Sequence, residues 1–156
     1  MLVALHGLES EPAVILTERR HDLRRHAGEI SFPGGRRDPG DRDLEHTALR
    51  ESHEEIGLDP ADVEVIGALP PFGTFVTNYR VHPYVGLIPD GLEWTLSPRE
   101  VETLLDLRIA ELREGFAMQR LVRRGIPFQT PTYTVGPHLV WGATARMLGD
   151  LLERMD

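Results

Sequence analysis

From Gly34 to Leu58 the chain reads as a tight loop feeding one amphipathic helix, and the rest of the chain has to pack around that unit. Gly34, Gly35, Pro39 and Gly40 mark the loop. Asp43 is placed to cap a helix, Gly57 to end it in a left-handed turn, and Pro60 to prevent its resumption, so the spacing predicts a helix from about Leu44 to Ile56. Leu44, Ala48, Leu49, Ser52 and Ile56 recur at helical spacing as the face that must be buried, with Ser52 its weakest member.

That stripe leaves Glu51, Glu54 and Glu55 together in one acidic patch beside it. Like charges one turn apart repel by roughly 0.2–0.5 kcal/mol per pair. Two readings follow from these residues alone: a solvated acidic face, or hard oxygen ligands whose repulsion a divalent cation such as Mg²⁺ or Mn²⁺ removes.

Composition narrows the chemistry. With no cysteine there is no thiol nucleophile, disulfide framework or cysteine-ligated zinc. All 17 basic residues are Arg, which excludes Schiff-base catalysis and a P-loop lysine. The net charge of -8 argues against a nucleic-acid partner. Arg19, Arg20, Arg24, Arg25, Arg36 and Arg37 nevertheless cluster just before the acidic helix, a local patch suited to a small polyphosphate. No apolar run is long enough for a membrane span, and the opening run is too short, and lacks the basic start, for a signal peptide. His46, His53 and Glu54 lack the spacing of a zinc protease, and no Gly-any-Ser-any-Gly elbow is present.

Elsewhere the pattern predicts a hairpin from residues 1–5 and 13–17, strands over 63–67 and 81–88 joined by a proline-stiffened loop, a hairpin strand over 128–135, and a closing helix after Trp141. Residues 97–102 read as an acidic turn entering an apolar segment. Residues 111–115 and 119–125 are polar and poorly periodic. Phe72, Phe75 and Tyr79 are aromatic candidates for stacking on an adenine. Trp141, Met147, Leu148, Leu151 and Leu152 read as core. These elements form one domain over residues 1–156, an α+β fold with strands on both sides of the acidic helix.

Arg50-Glu51-Ser52-His53-Glu54-Glu55-Ile56-Gly57-Leu58 resembles the second half of the signature box of the Nudix hydrolases, with Ser52 in place of an apolar residue. The arm from Gly35 to Arg50 is one residue longer than usual, and Asp41 stands near where the first Glu of the box would be. That longer arm, with its Asp38 to Asp43 pattern, is similar to the coenzyme A pyrophosphatase branch. So is the upstream run of Leu16, Thr17, Arg19, Arg24, Gly28 and Phe32-Pro33-Gly34-Gly35, which keeps the branch spacing but has Ile15 and Arg20 at two positions where other residues are usual.

The resemblance implies a Nudix fold, an α/β/α sandwich with a mixed β-sheet, and a cytoplasmic, metal-dependent hydrolase. Its substrate would be the diphosphate of coenzyme A or acyl-coenzyme A, split into a phosphopantetheine product and adenosine 3',5'-bisphosphate. It implies Mg²⁺ or Mn²⁺ on Glu51, Glu54 and Glu55. Glu51 or Glu54 would take a proton, and Arg50 would orient the carboxylates. Arg19, Arg24, Gly28 and Gly35 would meet the substrate, and Glu100 or Glu102 would supply a further acid. The protein would act as a monomer or homodimer. Two other readings stand beside this one: a pyrophosphatase for ADP-ribose or dinucleotides, and a noncatalytic nucleotide-binding domain.

Overall fold

A computed structural model describes residues 1–74 and 79–156. In chain order its elements are β1 (Leu2–His6), β2 (Ala13–Arg19), β3 (Ile30–Ser31), α1 (Leu44–Ile56), β4 (Glu64–Ala68), β5 (Phe72–Gly73), β6 (Arg80–Val81) and β7 (Tyr84–Leu87). Then follow β8 (Val101–Arg108), α2 (Ile109–Glu114), β9 (Phe116–Arg123), β10 (Ile126–Val135), β11 (His138–Val140) and α3 (Gly142–Arg154). Six strands form the main sheet, in the order β3-β2-β1-β7-β4 with β8 on the far side of β2. The sheet is mixed because β1 runs parallel to β7 and antiparallel to β2.

Alternation along the central strands explains the layering. On β1, Leu2 and Ala4 face the cluster that holds Ala48 and Ile56 of α1, whereas Val3 and Leu5 face the cluster of Met147, Leu148 and Leu151 of α3. On β2, Ile15 points to the α1 side and Val14 and Leu16 to the other. Both faces are therefore apolar, as a sheet covered by helices on each side requires. The fold is α+β, an α1/sheet/α3 sandwich.

The helix boundaries follow local chemistry. Asp43 accepts the His46 N–H at 2.8 Å, and Gly57, at φ 72°, donates its N–H to the His53 carbonyl at 2.9 Å. Ser52 is fully buried in the stripe with its hydroxyl donated to the Ala48 carbonyl at 2.7 Å, which removes the cost of a polar group there.

Three expectations need correction. The strand expected over 81–88 is interrupted at Pro83: Arg80 and Val81 pair instead with Phe72 and Gly73, inside the expected loop. Residues 111–115 and 119–125 are not irregular; most of them lie in α2 and in β9, which pairs with β10 from Phe116↔Tyr133 to Arg123↔Ile126. β9 is ordered by this hairpin with its neighbour in the chain, joined by Arg124 and Gly125 at φ 50° and 78°, the positive values a tight two-residue turn needs, and not by its own periodicity. Trp141 is only half-buried, with the Arg123 guanidinium 5.5 Å from its ring centre.

Candidate active site at the acidic helix

The C-terminal end of α1 assembles the site by offering its free carbonyls. Glu55 and Ile56 accept the backbone N–H groups of Ser97 at 2.8 Å and Thr95 at 3.0 Å, which ties the segment before β8 to the helix. Glu100 is thereby brought close enough to Glu51 and Glu55 to raise the pKa of both. Glu102 is exposed on β8. Of the two acids the sequence left open, it is Glu100 that stands by the helix.

Glu51 and Glu55 lie one turn apart. Glu55 is buried, at 8% exposure, and burial together with Glu51 and Glu100 pushes its carboxyl up to about 8. Its hydrogen-bond donor among the described residues is the Gly34 N–H at 3.4 Å. The half-buried Glu51 is also raised, by burial first and then by Glu54 and Glu100 against the opposing pull of Arg50. Its carboxylate lies against Gly35 so closely that a Cβ on that glycine would fall 2.6 Å from Oε1.

Glu54 occupies a different position. It is exposed, and Arg50 Nη1 donates to both of its carboxylate oxygens at 3.1 Å. Arg50 is the hub of the loop. Its Nε and Nη2 donate to the two oxygens of Asp41 at 2.9 and 3.1 Å, its Nη2 donates to the Arg36 carbonyl at 3.2 Å, and it stands 3.3 Å from Glu51. Asp41 is buried and also accepts the Asp38 N–H and the Thr47 hydroxyl. The Arg50 guanidinium beside Asp41 holds its carboxyl well below the usual carboxylate range. Asp41 in the longer arm is thus a structural lock on Arg50. Sequence reasoning missed that role, because the partners are nine residues apart and only the folded loop brings them together.

The arginines divide. Arg19 sits where the pairing of β2 with β8 shifts register, a bulge that re-aims its side chain. Its charge reaches Glu55, and its buried Nε has no hydrogen-bond partner among the described residues. Arg24 is exposed on the loop between β2 and β3 and makes no hydrogen bond or ion pair with the carboxylates among the described residues. At Gly28, φ 69°, the His21 ring lies where a Cβ would stand, 2.7 Å from its Cε1. Of the aromatic candidates, Phe72 is core, with Arg146 over its ring at 4.6 Å, and the exposed Tyr79 lies under Arg36 at 4.4 Å. Phe75 lies outside the described residues.

Among the described residues no three His, Cys, Asp or Glu side chains are gathered closely enough to enclose a metal. The donor chemistry nonetheless fits a divalent cation: hard oxygens only, more than one carboxylate, and a Glu55 carboxyl that burial first, and then Glu51 and Glu100, push up to about 8.

The sequence matches the NUDIX domain family over residues 2–123, and the chain belongs to that family. It is 40% identical over 143 residues to the uncharacterised Nudix hydrolase NudL of Salmonella paratyphi B, covering 90% of this chain and 74% of that protein. The same figures hold for NudL of Salmonella newport. In fold it is similar to the NUDIX domain of Shewanella oneidensis NrtR complexed with ADP ribose, with a TM-score of 0.64 and 15% identity over 99% of this chain and 85% of that one. It is also similar to the Ap4A hydrolase of C. elegans, with a TM-score of 0.58 and 17% identity over 70% of this chain and 78% of that one. Nudix hydrolases generally use divalent metal ions.

Proposed function

We propose that the protein is a metal-dependent diphosphate hydrolase acting on coenzyme A or acyl-coenzyme A. The observation that carries the chemistry is the pairing of two under-satisfied groups on facing elements. The Glu55 carboxyl is buried near Glu51 and Glu100, and the Nε of Arg19, whose charge reaches it, is buried with no hydrogen-bond partner among the described residues. A cation with a phosphate oxygen satisfies both at once.

Glu51 and Glu55 would hold the ion, and Glu54 would complete its shell or bridge to it through water. A bound Mg²⁺ or Mn²⁺ supplies Lewis acidity, offsetting charge on the diphosphate and acidifying water. Gly35, having no side chain, lets Glu51 lie against the loop, and its backbone carbonyl would be a further oxygen ligand. Arg50 keeps the carboxylates in place through its lock on Asp41. Glu51 or Glu54 takes a proton from the attacking water as its oxygen bonds to phosphorus and the bridging phosphorus–oxygen bond breaks. Arg19 pairs with the phosphate oxygens, and Arg24 and Gly28 present the β2–β3 loop to the far phosphate of the nucleotide. Coenzyme A is favoured over other nucleoside diphosphates by the upstream run from Leu16 to Gly35, whose arginines suit an additional phosphate on the ribose.

The fold neighbours favour a second reading, a nucleoside diphosphate such as ADP-ribose or a dinucleotide. One assay separates them: turnover of coenzyme A, ADP-ribose and Ap4A with Mg²⁺, with Mn²⁺ and with chelator, with the products resolved. Metal-dependent release of adenosine 3',5'-bisphosphate from coenzyme A in preference to the others is expected. Cleavage of the others instead removes the coenzyme A assignment. Turnover of none under any condition removes the enzymatic reading in favour of a nucleotide-binding role.

A further inference from the structure

The hairpin of β9 and β10 has two outer edges of opposite character. Along β10, β11 covers only Tyr133 to Val135, and the uncovered part contains Pro127 and Pro131. A proline sits within a ladder only with its nitrogen turned to the outer edge, so that edge lacks two donors and resists a further strand. Among the described residues β9 pairs with β10 alone, and its eight residues contain no proline. Phe116, Met118 and Val122 on its outward face are 49%, 58% and 67% exposed. A long, donor-complete edge carrying an apolar face is the feature that monomeric proteins avoid.

We propose that this edge is the interface between two copies of the chain, with the β9 strands antiparallel about a two-fold axis and the two hairpins joined into one continuous sheet. The second copy is the occupant because β9 is complementary to itself in one register. A two-fold perpendicular to the sheet keeps like faces together and pairs residues of the same alternation. With the axis at Gln119, Phe116 lies opposite Val122 of the second copy, Met118 opposite Arg120, and Ala117 opposite Leu121. An aromatic meets a β-branched residue, the Arg120 stem covers Met118, and no two charges of the same sign face each other. Moving the axis to Arg120 sets that arginine against itself. The backbone agrees with the first register. Because Pro127 and Pro131 turn their nitrogens away from β9, their partners Val122 and Met118, and by alternation Phe116 and Arg120, turn their own N–H and carbonyl groups to the free edge. Those four residues pair among themselves across the proposed axis.

The absence of native cysteine makes the register directly testable. Gln119 and its copy form a non-hydrogen-bonded pair, with Cα atoms about 4.5 Å apart, inside the roughly 4.4–6.8 Å that a disulfide spans. Gln119→Cys in the full chain is expected to oxidise to a covalent dimer well ahead of Leu121→Cys, whose copies are separated along the strands. In sedimentation velocity the unmodified chain is expected to run as a dimer. Val122→Glu, which places a carboxylate opposite Phe116 at a position facing water within the single chain, is expected to run as a monomer with an unchanged circular dichroism spectrum. A monomer at every concentration, a dimer that Val122→Glu leaves intact, or equal cross-linking at 119 and 121 overturns the proposal.

Discussion

Three substitutions read the site one residue at a time. Gly35→Ala puts a methyl group where the Glu51 carboxylate lies, so Glu51 must move while the buried layers stay as they are. Displacing a catalytic group by about 1 Å costs on the order of 100-fold in rate. A loss of that size in kcat, with a melting temperature close to that of the parent, is expected; full activity would show that Glu51 is not needed in that position. Asp41→Asn takes one anion from the Arg50 lock and leaves the guanidinium to pair with the nearby glutamates. Because Arg50 holds the Asp41 carboxyl in its ionised form, the contribution to stability is present above the ordinary carboxylate range and is lost as pH falls through the lower folded value. The variant is expected to melt lower than the parent at neutral pH, with the two curves converging in acid. For Glu55 the sign is opposite. Its carboxyl rises from 4.5 to about 8 on folding, so the folded state holds the proton more tightly, and the ion-free protein loses stability as pH climbs between those values. Glu55→Gln is expected to stabilise the chelated protein above pH 8 by on the order of a few kcal/mol, seen as a higher melting temperature, while abolishing turnover. Thermal melts in chelator across pH check both signs.

At the scale of elements, the joints between strands are as informative as the strands. His6, at the end of β1, has Nδ1 2.6 Å from Asp90 and Nε2 2.8 Å from Asp106, so one imidazole links the segment after β7 to β8 across the sheet. Burial alone would lower its pKa, but the hydrogen bonds to Asp106 and Asp90 outweigh it and the value rises. The link is therefore complete below the ordinary imidazole value of 6.5 and weakens as pH rises through the higher folded value. His6→Gln is expected to cost on the order of 1–2 kcal/mol at pH 6 and less at pH 9, seen as denaturation midpoints that converge in base. On the other face of the sheet, α3 contributes the fully buried Leu148, and the Thr144 hydroxyl donates to the Ile30 carbonyl of β3 at 3.0 Å. Leu148→Ala is expected to cost about 2–5 kcal/mol through the cavity it leaves, with activity per folded molecule unchanged because α1 lies across the sheet.

For the whole molecule, the acidic site and the overall charge of -8 act together: the fold carries excess negative charge that the proposed cation would relieve locally. Mg²⁺ or Mn²⁺ added to the chelated protein is expected to raise its melting temperature, and to do so more at pH 8 than at pH 5, because Glu55 must lose its proton to ligate. An increment that does not depend on pH would place the ion elsewhere. Much of this molecule was legible from the chain alone: the acidic helix with its Asp43 and Gly57 caps, the opening hairpin, the closing helix, and Glu51 and Glu55 beside a buried stripe. These rest on capping chemistry and periodicity, which act between residues a few positions apart. The tertiary structure decided what depends on distant partners. It separated Glu54 from Glu51 and Glu55, selected Glu100 over Glu102 through the carbonyls at the end of α1, and turned Asp41 into the lock on Arg50. The direction of these side chains is set by packing and hydrogen bonds that only the folded chain brings together, and no local pattern in the sequence encodes that.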